Sequence, residues 1–266
     1  MKRLKIMGIL NVTPDSFSDG GKYHSVEDAV GHARRMVEEG VDIIDVGGYS
    51  TRPGYTEITE AEEIGRVVPV IEAIRDFGVE ISIDTFRGPV AKRALQAGAT
   101  MINDQWRGTY DETILDAARD FDAPIFLMHN NDHGKYDDVV EDMIRELKES
   151  AALAKSHGVK DENIWLDPGI GFVKSREEEL EVMRRLDELV DVGYPVLLAT
   201  SRKRMIRELM DENLPAAQRD EATAATTIHG IDKGIDAVRV HNVALNRKLS
   251  DAYITLKGEL DGQHQN

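Results

Sequence analysis

The 266-residue chain holds 49 acidic against 33 basic side chains, a net charge of −16, and has a pI near 4.9. That balance argues against nucleic acid and against an anionic membrane surface, since either needs a basic stripe to meet phosphates. An anionic ligand would have to be met by a local cluster of Arg, Lys or backbone N–H groups. Cysteine is absent, which removes disulfides, Cys-ligated zinc and a Cys nucleophile. The 41% hydrophobic content is ample for a core.

No apolar run approaches the ~18 residues of a membrane helix. The apolar run after the basic start Met1-Lys2-Arg3 is too short for a signal peptide. A soluble cytoplasmic protein is therefore expected, and with no linker or composition shift one domain is expected over residues 1–266. A unit recurs along it: a β-branched apolar run, a polar loop, a charged segment of helical period, then glycine. The predicted strands are Lys5–Leu10, Asp42–Val46, Glu80–Ile83, Thr100–Ile102, Pro124–Met128, Ile164–Leu166, Pro195–Ala199 and Ala237–Val240. Helical period marks Ser25–Glu39, Glu60–Phe77, Pro89–Ala97, Asp111–Phe121, Val139–His157, Ser175–Leu189 and Glu221–Lys233. Gly40, Gly78, Gly98, Gly158, Gly193 and Gly234 stand where helix C-terminal caps belong. Met36, Met143, Met183 and Met205 read as core on the helical stripes.

Eight strands alternating with helices fit a closed (β/α)₈ TIM barrel or a doubly wound open sheet. The polar residues at the strand ends favour the barrel: Asn11, Asp84, Asn103, His129, Asp167, Ser201 and His241. A closed ring gathers all of them around one mouth, whereas an open sheet leaves several far from its crevice.

The loop Asn11–Gly21, Asn-Val-Thr-Pro-Asp-Ser-Phe-Ser-Asp-Gly-Gly, offers hydroxyls, carboxylates and one unsupported aromatic, Phe17. The second loop, Asp45-Val-Gly-Gly-Tyr-Ser-Thr-Arg-Pro-Gly54, presents Thr51 and Arg52 as donors suited to a phosphate; taken alone, it also reads as a plain Gly-rich turn. No dinucleotide or P-loop motif follows a strand. Asp84, Asn103 and Asp167 singly resemble turn formers, and Asp104 fits that role well. Converging on one pocket, the three would read a planar ring rich in N–H donors and carbonyls. Ser201-Arg202-Lys203 and Arg239-Val240-His241 follow strands seven and eight, the usual phosphate side of a barrel. The period of two puts Arg239 and His241 on one face. Arg202 and Arg204 read as salt-bridge formers; Lys203, Arg239 and His241 read as functional. His129 and His133 suggest a metal pair only weakly, because the zinc motif's glutamate is missing.

Together, Asn11–Gly21, Asp45–Gly54, Ser82–Thr85, Ile102–Asp104, Leu127–His129, Asp167–Phe172, Ser201–Lys203 and Arg239–His241 resemble, in order, the strand-end motifs of the dihydropteroate synthase family. The match runs from about Met7 to about Val243. The resemblance implies a (β/α)₈ barrel condensing 6-hydroxymethyl-7,8-dihydropterin pyrophosphate with p-aminobenzoate in folate biosynthesis, with Mg²⁺, a cytoplasmic homodimer and inhibition by sulfonamides. By position it implies Asn11 at the metal and pyrophosphate, and Thr51, Arg239 and His241 on the pyrophosphate. Asp84, Asn103 and Asp167 would grip the pterin, with Lys203 reaching the ring from the opposite side. Phe17, Arg52, Pro53 and Ser201 would frame p-aminobenzoate. Lys203, Arg239 and His241 are the catalytic candidates.

Several positions depart from the commoner pattern: Tyr49 before Ser-Thr-Arg-Pro-Gly, Gln105-Trp106 after Asn103-Asp104, Val173 in the Asp-Pro-Gly-x-Gly-Phe-x-Lys run, Asn130-Asn131 after His129, and Asn242 after Arg-Val-His. The alternatives are a pterin-dependent methyltransferase domain, which needs no pyrophosphate site, a non-catalytic pterin-binding paralogue, and a phosphate-binding barrel of unrelated chemistry.

Overall fold

A computed structural model describes residues 3–12, 22–49, 57–210 and 214–258. The strands are β1 (Lys5–Asn11), β2 (Ile43–Gly47), β3 (Glu80–Asp84), β4 (Met101–Asp104), β5 (Ile125–Met128), β6 (Ile164–Asp167), β7 (Leu197–Leu198) and β8 (Ala237–Val240). They pair in parallel in the order β6-β5-β4-β3-β2-β1-β8-β7. A bridge between Leu166 and Val196 joins the two ends of that order. The ring closes there, and the barrel expectation holds over the open sheet.

Helices α1 (Lys22–Glu38), α2 (Glu60–Ile74), α3 (Gly88–Ala97), α4 (Thr113–Asp120), α5 (Val139–Ser156), α6 (Arg176–Arg184), α7 (Leu186–Val190), α8 (Arg204–Leu209), α9 (Asp220–Lys233) and α10 (Val243–Leu256) lie between and after the strands. The caps are local chemistry. Thr59 and Asp138 accept N–H groups of the first turns of α2 and α5, and Ser175 with Glu178 forms a reciprocal capping box on α6. The six glycines predicted as caps all take positive φ, between 78° and 122°.

The strand period of two builds the interior. One row of inward side chains, Met7, Ile43, Met101, Phe126, Trp165, Leu197 and Ala237, forms a closed apolar cluster inside the barrel. The alternate row, including Ile6, Ile44, Ile102, Leu127 and Leu166, packs outward in the larger core that also holds buried helical side chains. The four predicted core methionines are buried. Two residues beyond Ile43, Met101, Trp165 and Ala237, the inward row turns polar: Asp45, Asn103, Asp167 and Arg239. An apolar plug therefore floors a charged mouth.

Helices α8 and α10 are not among the predicted segments, and two predicted ones differ markedly in extent. The seventh strand is shorter than Pro195–Ala199, because the side chain of Asp236 takes the Val196 N–H at 3.0 Å in place of a strand partner. The single helix expected over Ser175–Leu189 is broken at Arg185, where φ is −105° and ψ 24°. Among the described residues, no helix is long and apolar enough to cross a membrane.

Candidate active site

Arg239 is the hub of the mouth. Its Nε donates to Asp45 Oδ2 at 2.6 Å and its Nη2 to Asp84 Oδ2 at 2.6 Å. Asp45 Oδ2 also accepts Asn103 Nδ2 at 3.0 Å, and Gln105 Nε2 donates to Asp84 Oδ1 at 2.6 Å. One guanidinium is thus held between two buried carboxylates, an arrangement that survives desolvation only because each charge is hydrogen-bonded. Burial pushes the Asp84 carboxyl up to about 6, against the pull of Arg239 and with Asp45 adding to the rise. Burial also works against the Arg239 charge, but Asp45 and Asp84 outweigh it and hold the guanidinium above its usual range. Asn11 ends β1 beside this group. A Cβ placed on Gly47 would lie 3.6 Å from Asn11 Oδ1 and 3.5 Å from Asp84 Oδ2.

The loop after β6 forms the facing wall. Asp167 Oδ1 accepts the Gly169 N–H at 2.7 Å. Burial raises the Asp167 carboxyl, and Lys203 is the strongest influence opposing it. Gly169 passes so close to β5 that a Cβ there would meet the His129 carbonyl oxygen at 2.0 Å, and a Cβ on Gly171 would meet Lys203 Cδ at 2.8 Å. Only glycine lets the loop lie under the lysine. Lys203 Nζ donates to Ile170 O at 2.5 Å and stands 5.0 Å from the Phe172 ring. Burial lowers its ammonium to about 8, with Asp167 resisting.

Ser201 and His241 meet at the β7–β8 side. Ser201 Oγ accepts the His241 N–H at 3.1 Å and lies 2.8 Å from His241 Nδ1. A hydroxyl donating to Nδ1 leaves the proton of a neutral ring on Nε2, a donor suited to an anion. Arg202 turns away, as expected of a salt-bridge former. It sits at φ 59° and binds Asp220 through two bonds of 2.7 and 2.8 Å. Arg204 Nε lies 3.6 Å from Glu208. Asn242 Nδ2 donates to Asp220 Oδ2 at 3.1 Å while its Oδ1 caps α10. An aspartate at that position has no donor to offer Asp220.

Asp84, Asn103 and Arg239 are therefore joined in one network, with Asn11 alongside. Asp167 and Lys203 face each other electrostatically, and Ser201 is bonded to His241. Phe17, Thr51, Arg52 and Pro53 lie outside the described residues. Asp104 plays the plain turn role expected of it, accepting the N–H groups of Trp106 at 2.8 Å and Gly108 at 2.5 Å. Burial nevertheless lifts its carboxyl to about 7.

Three contributors went unassigned in the sequence. Asp45 is a lone charge inside the run Ile43-Ile44-Asp45-Val46, and that anomaly is a usable signal. Gln105 stood out only as a departure. Lys174 is buried with its Nζ 2.7 Å from His129 Nδ1, and burial lowers it to about 7; nothing local in the sequence announces this. Burial pushes His129 down to about 2, so its ring is neutral. The Nε2 atoms of His129 and His133 each lie 3.4 Å from the Glu146 carboxylate, and among the described residues no group of three His, Asp or Glu side chains is arranged to hold a metal.

Two further departures, Tyr49 and Trp106, belong to one aromatic row. Tyr49, Phe86, Tyr110 and Trp106 form a continuous aromatic row with centroid separations of 5.5, 4.7 and 5.9 Å. Arg87 stands 5.1 Å from the Tyr49 ring, bonded to Glu63 Oε2 and Ile58 O at 2.9 Å each.

A family model described as "Pterin binding enzyme" matches residues 7–241. The dihydropteroate synthase of Staphylococcus haemolyticus is 58% identical over 264 residues, covering 99% of each chain. A crystal structure of Clostridium difficile dihydropteroate synthase in the presence of pteroic acid shares 46% identity at a TM-score of 0.92, over 96% of this chain and 97% of that one. Dihydropteroate synthase from Xanthomonas albilineans in complex with 7,8-dihydropteroate shares 37% identity at a TM-score of 0.88, over 96% of this chain and 94% of that one.

Proposed function

The chain belongs to the pterin binding enzymes and, among them, to the dihydropteroate synthases; from that membership we infer that it condenses 6-hydroxymethyl-7,8-dihydropterin pyrophosphate with p-aminobenzoate, giving 7,8-dihydropteroate and pyrophosphate. The observation that supports the reading most is the acceptor-rich mouth. Asp84, Asn103 and Asp167 stand at the strand ends of the barrel mouth with the cations Arg239 and Lys203. A pterin presents N–H donors along one edge and a carbonyl and ring nitrogen elsewhere. The carboxylates and the Asn103 oxygen suit the donors, and the Lys203 ammonium suits the acceptors.

In the reaction the C–O bond between the pterin methylene and the pyrophosphate breaks, and the p-aminobenzoate nitrogen forms the new C–N bond and then loses a proton. Negative charge grows on the departing pyrophosphate. The Arg239 guanidinium and His241 Nε2 are suited to stabilise it, and the buried carboxylates favour the electron-poor carbon left behind. No enzyme nucleophile is required. Thr51 would add to the pyrophosphate grip, and Phe17, Arg52, Pro53 and Ser201 would frame p-aminobenzoate.

The residues fit a Mg²⁺ ion carried by the substrate. Mg²⁺ keeps waters and phosphate oxygens and takes few protein ligands, and the Asn11 amide oxygen stands beside the Asp84 carboxylate at Gly47. Bound there, it would neutralise pyrophosphate charge. A cytoplasmic homodimer completes the proposal.

Purified protein given Mg²⁺ and both substrates should form 7,8-dihydropteroate. Pterin binding without product would favour a non-catalytic binding module. Binding the pterin alcohol as tightly as its pyrophosphate would favour a methyltransferase-like domain.

A further inference from the structure

Asp45 lies wholly inside the barrel, one inward position below Gly47 on β2, and nothing in the proposed reaction touches it. Its Oδ2 accepts two donors at once, Asn103 Nδ2 at 3.0 Å and Arg239 Nε at 2.6 Å, while its Oδ1 is buried with no hydrogen bond. An ionised carboxylate accepts hydrogen bonds and donates none. The Asn103 amide must therefore turn its NH₂ toward Asp45, and its oxygen becomes the atom left for a ligand. Arg239 is fixed in the same way. With Nε on Asp45 and Nη2 on Asp84, Nη1 is the guanidinium nitrogen without a hydrogen bond among the described residues.

We propose that Asp45 is a positioning residue that sets the polarity of substrate recognition: it makes Asn103 an acceptor toward the pterin ring and aims Arg239 Nη1 at the pyrophosphate. This rests on the pterin reading of the site. It adds that one oxygen beneath the pocket fixes both halves of the pterin substrate, and that p-aminobenzoate recognition does not depend on it. Asparagine at position 45 keeps an oxygen for both donors, whereas alanine keeps none and no longer forces this choice. Asn103 is then free to turn its NH₂ toward the ring, a donor against a donor, and a buried mismatch of that kind costs binding at least about tenfold.

The test is a pairwise exchange read by calorimetry with 6-hydroxymethyl-7,8-dihydropterin. Asp45→Ala should weaken binding at least about tenfold, and so should Asn103→Asp, which sets two carboxylates against each other. The double variant Asp45→Ala/Asn103→Asp always presents an acceptor to the ring, a carboxylate with no like charge beneath it. It should recover most of the affinity lost in Asn103→Asp. Asp45→Asn, which keeps the shared acceptor oxygen, should stay close to the parent. In turnover, Asp45→Ala should raise KM for the pterin pyrophosphate and leave KM for p-aminobenzoate unchanged. An Asp45→Ala protein that binds pterin as the parent does would overturn the proposal. So would a double variant that binds no better than Asn103→Asp, a comparison that still decides the matter if Asp45→Ala alone does not fold. A parent protein that binds no pterin at all would instead sink the function on which the proposal rests.

Discussion

Replacing Asp84 with asparagine should stabilise the protein at alkaline pH while removing its grip on pterin. Burial lifts the Asp84 carboxyl from 3.8 to about 6 even with Arg239 bonded to it. At about 1.4 kcal/mol per tenfold, that rise corresponds to about 3 kcal/mol against the charged form. The folded pKa lies above the unfolded one, so this group's stabilising proton is fully held below about pH 4 and is lost as pH rises through about 6. Asparagine stays neutral throughout and keeps an oxygen for Arg239. Gln105, whose amide oxygen is buried without a partner, can reverse its amide to accept from the new NH₂. Asp84→Asn should therefore exceed the parent by up to about 3 kcal/mol at pH 8, a melting shift of roughly 6–10 °C, with no gain at pH 4. Pterin affinity should fall at least about tenfold, because an acceptor is lost where a ring donor binds. Urea unfolding of both proteins at pH 4 and pH 8, with calorimetry on pterin, measures all of this. A variant no more stable than the parent at pH 8 would refute the reasoning, since it would mean that Arg239 fully compensates the buried charge.

Other consequences are as direct. Pterin-substrate kcat/KM should fall below about pH 6, as Asp84 takes a proton, and above about pH 8, as Lys203 loses one; Lys203→Arg should flatten the alkaline limb in a pH–rate profile if it folds and turns over at all. Val173 is a β-branched residue at φ 43°, so Val173→Gly should raise stability by about 1 kcal/mol, read as a melting shift of roughly 2–4 °C; no rise would show that the turn holds little strain. Asp220→Ala removes the anchor that keeps Arg202 at φ 59°. It should cost about 2 kcal/mol and raise the pterin-substrate KM, because Lys203 is the next residue; a KM equal to the parent's would separate that turn from the site.

Much of this is legible in the amino-acid sequence alone. The eight strands announce themselves because each is a buried β-branched run bounded by a turn, and helix endings are legible where glycine takes a conformation other residues avoid, as at Gly234 with φ 92°. Closure was legible only indirectly, through polar strand ends that need a common mouth. The strand-seven boundary was not, because its shortening depends on the side chain of Asp236, forty residues further along the chain. The break at Arg185 escapes a periodicity argument for a related reason: the apolar stripe continues through it. Within the site, Asp84, Asn103, Asp167, Lys203 and Arg239 were found by their places at strand ends. Asp45 was missed because it lies one step deeper, where position alone predicts apolar packing, although its charge contradicts that expectation. Lys174 was hidden more thoroughly. Its burial and its bond to His129 exist only once β5 and the loop after β6 are brought together.

Pyrophosphate release and 7,8-dihydropteroate formation can be measured together, with Mg²⁺ and the pterin pyrophosphate, in the presence and absence of p-aminobenzoate. The expected result is equimolar release of both products that requires p-aminobenzoate. Pyrophosphate released at the same rate without it, or no dihydropteroate from a protein that demonstrably binds pterin, would contradict the account.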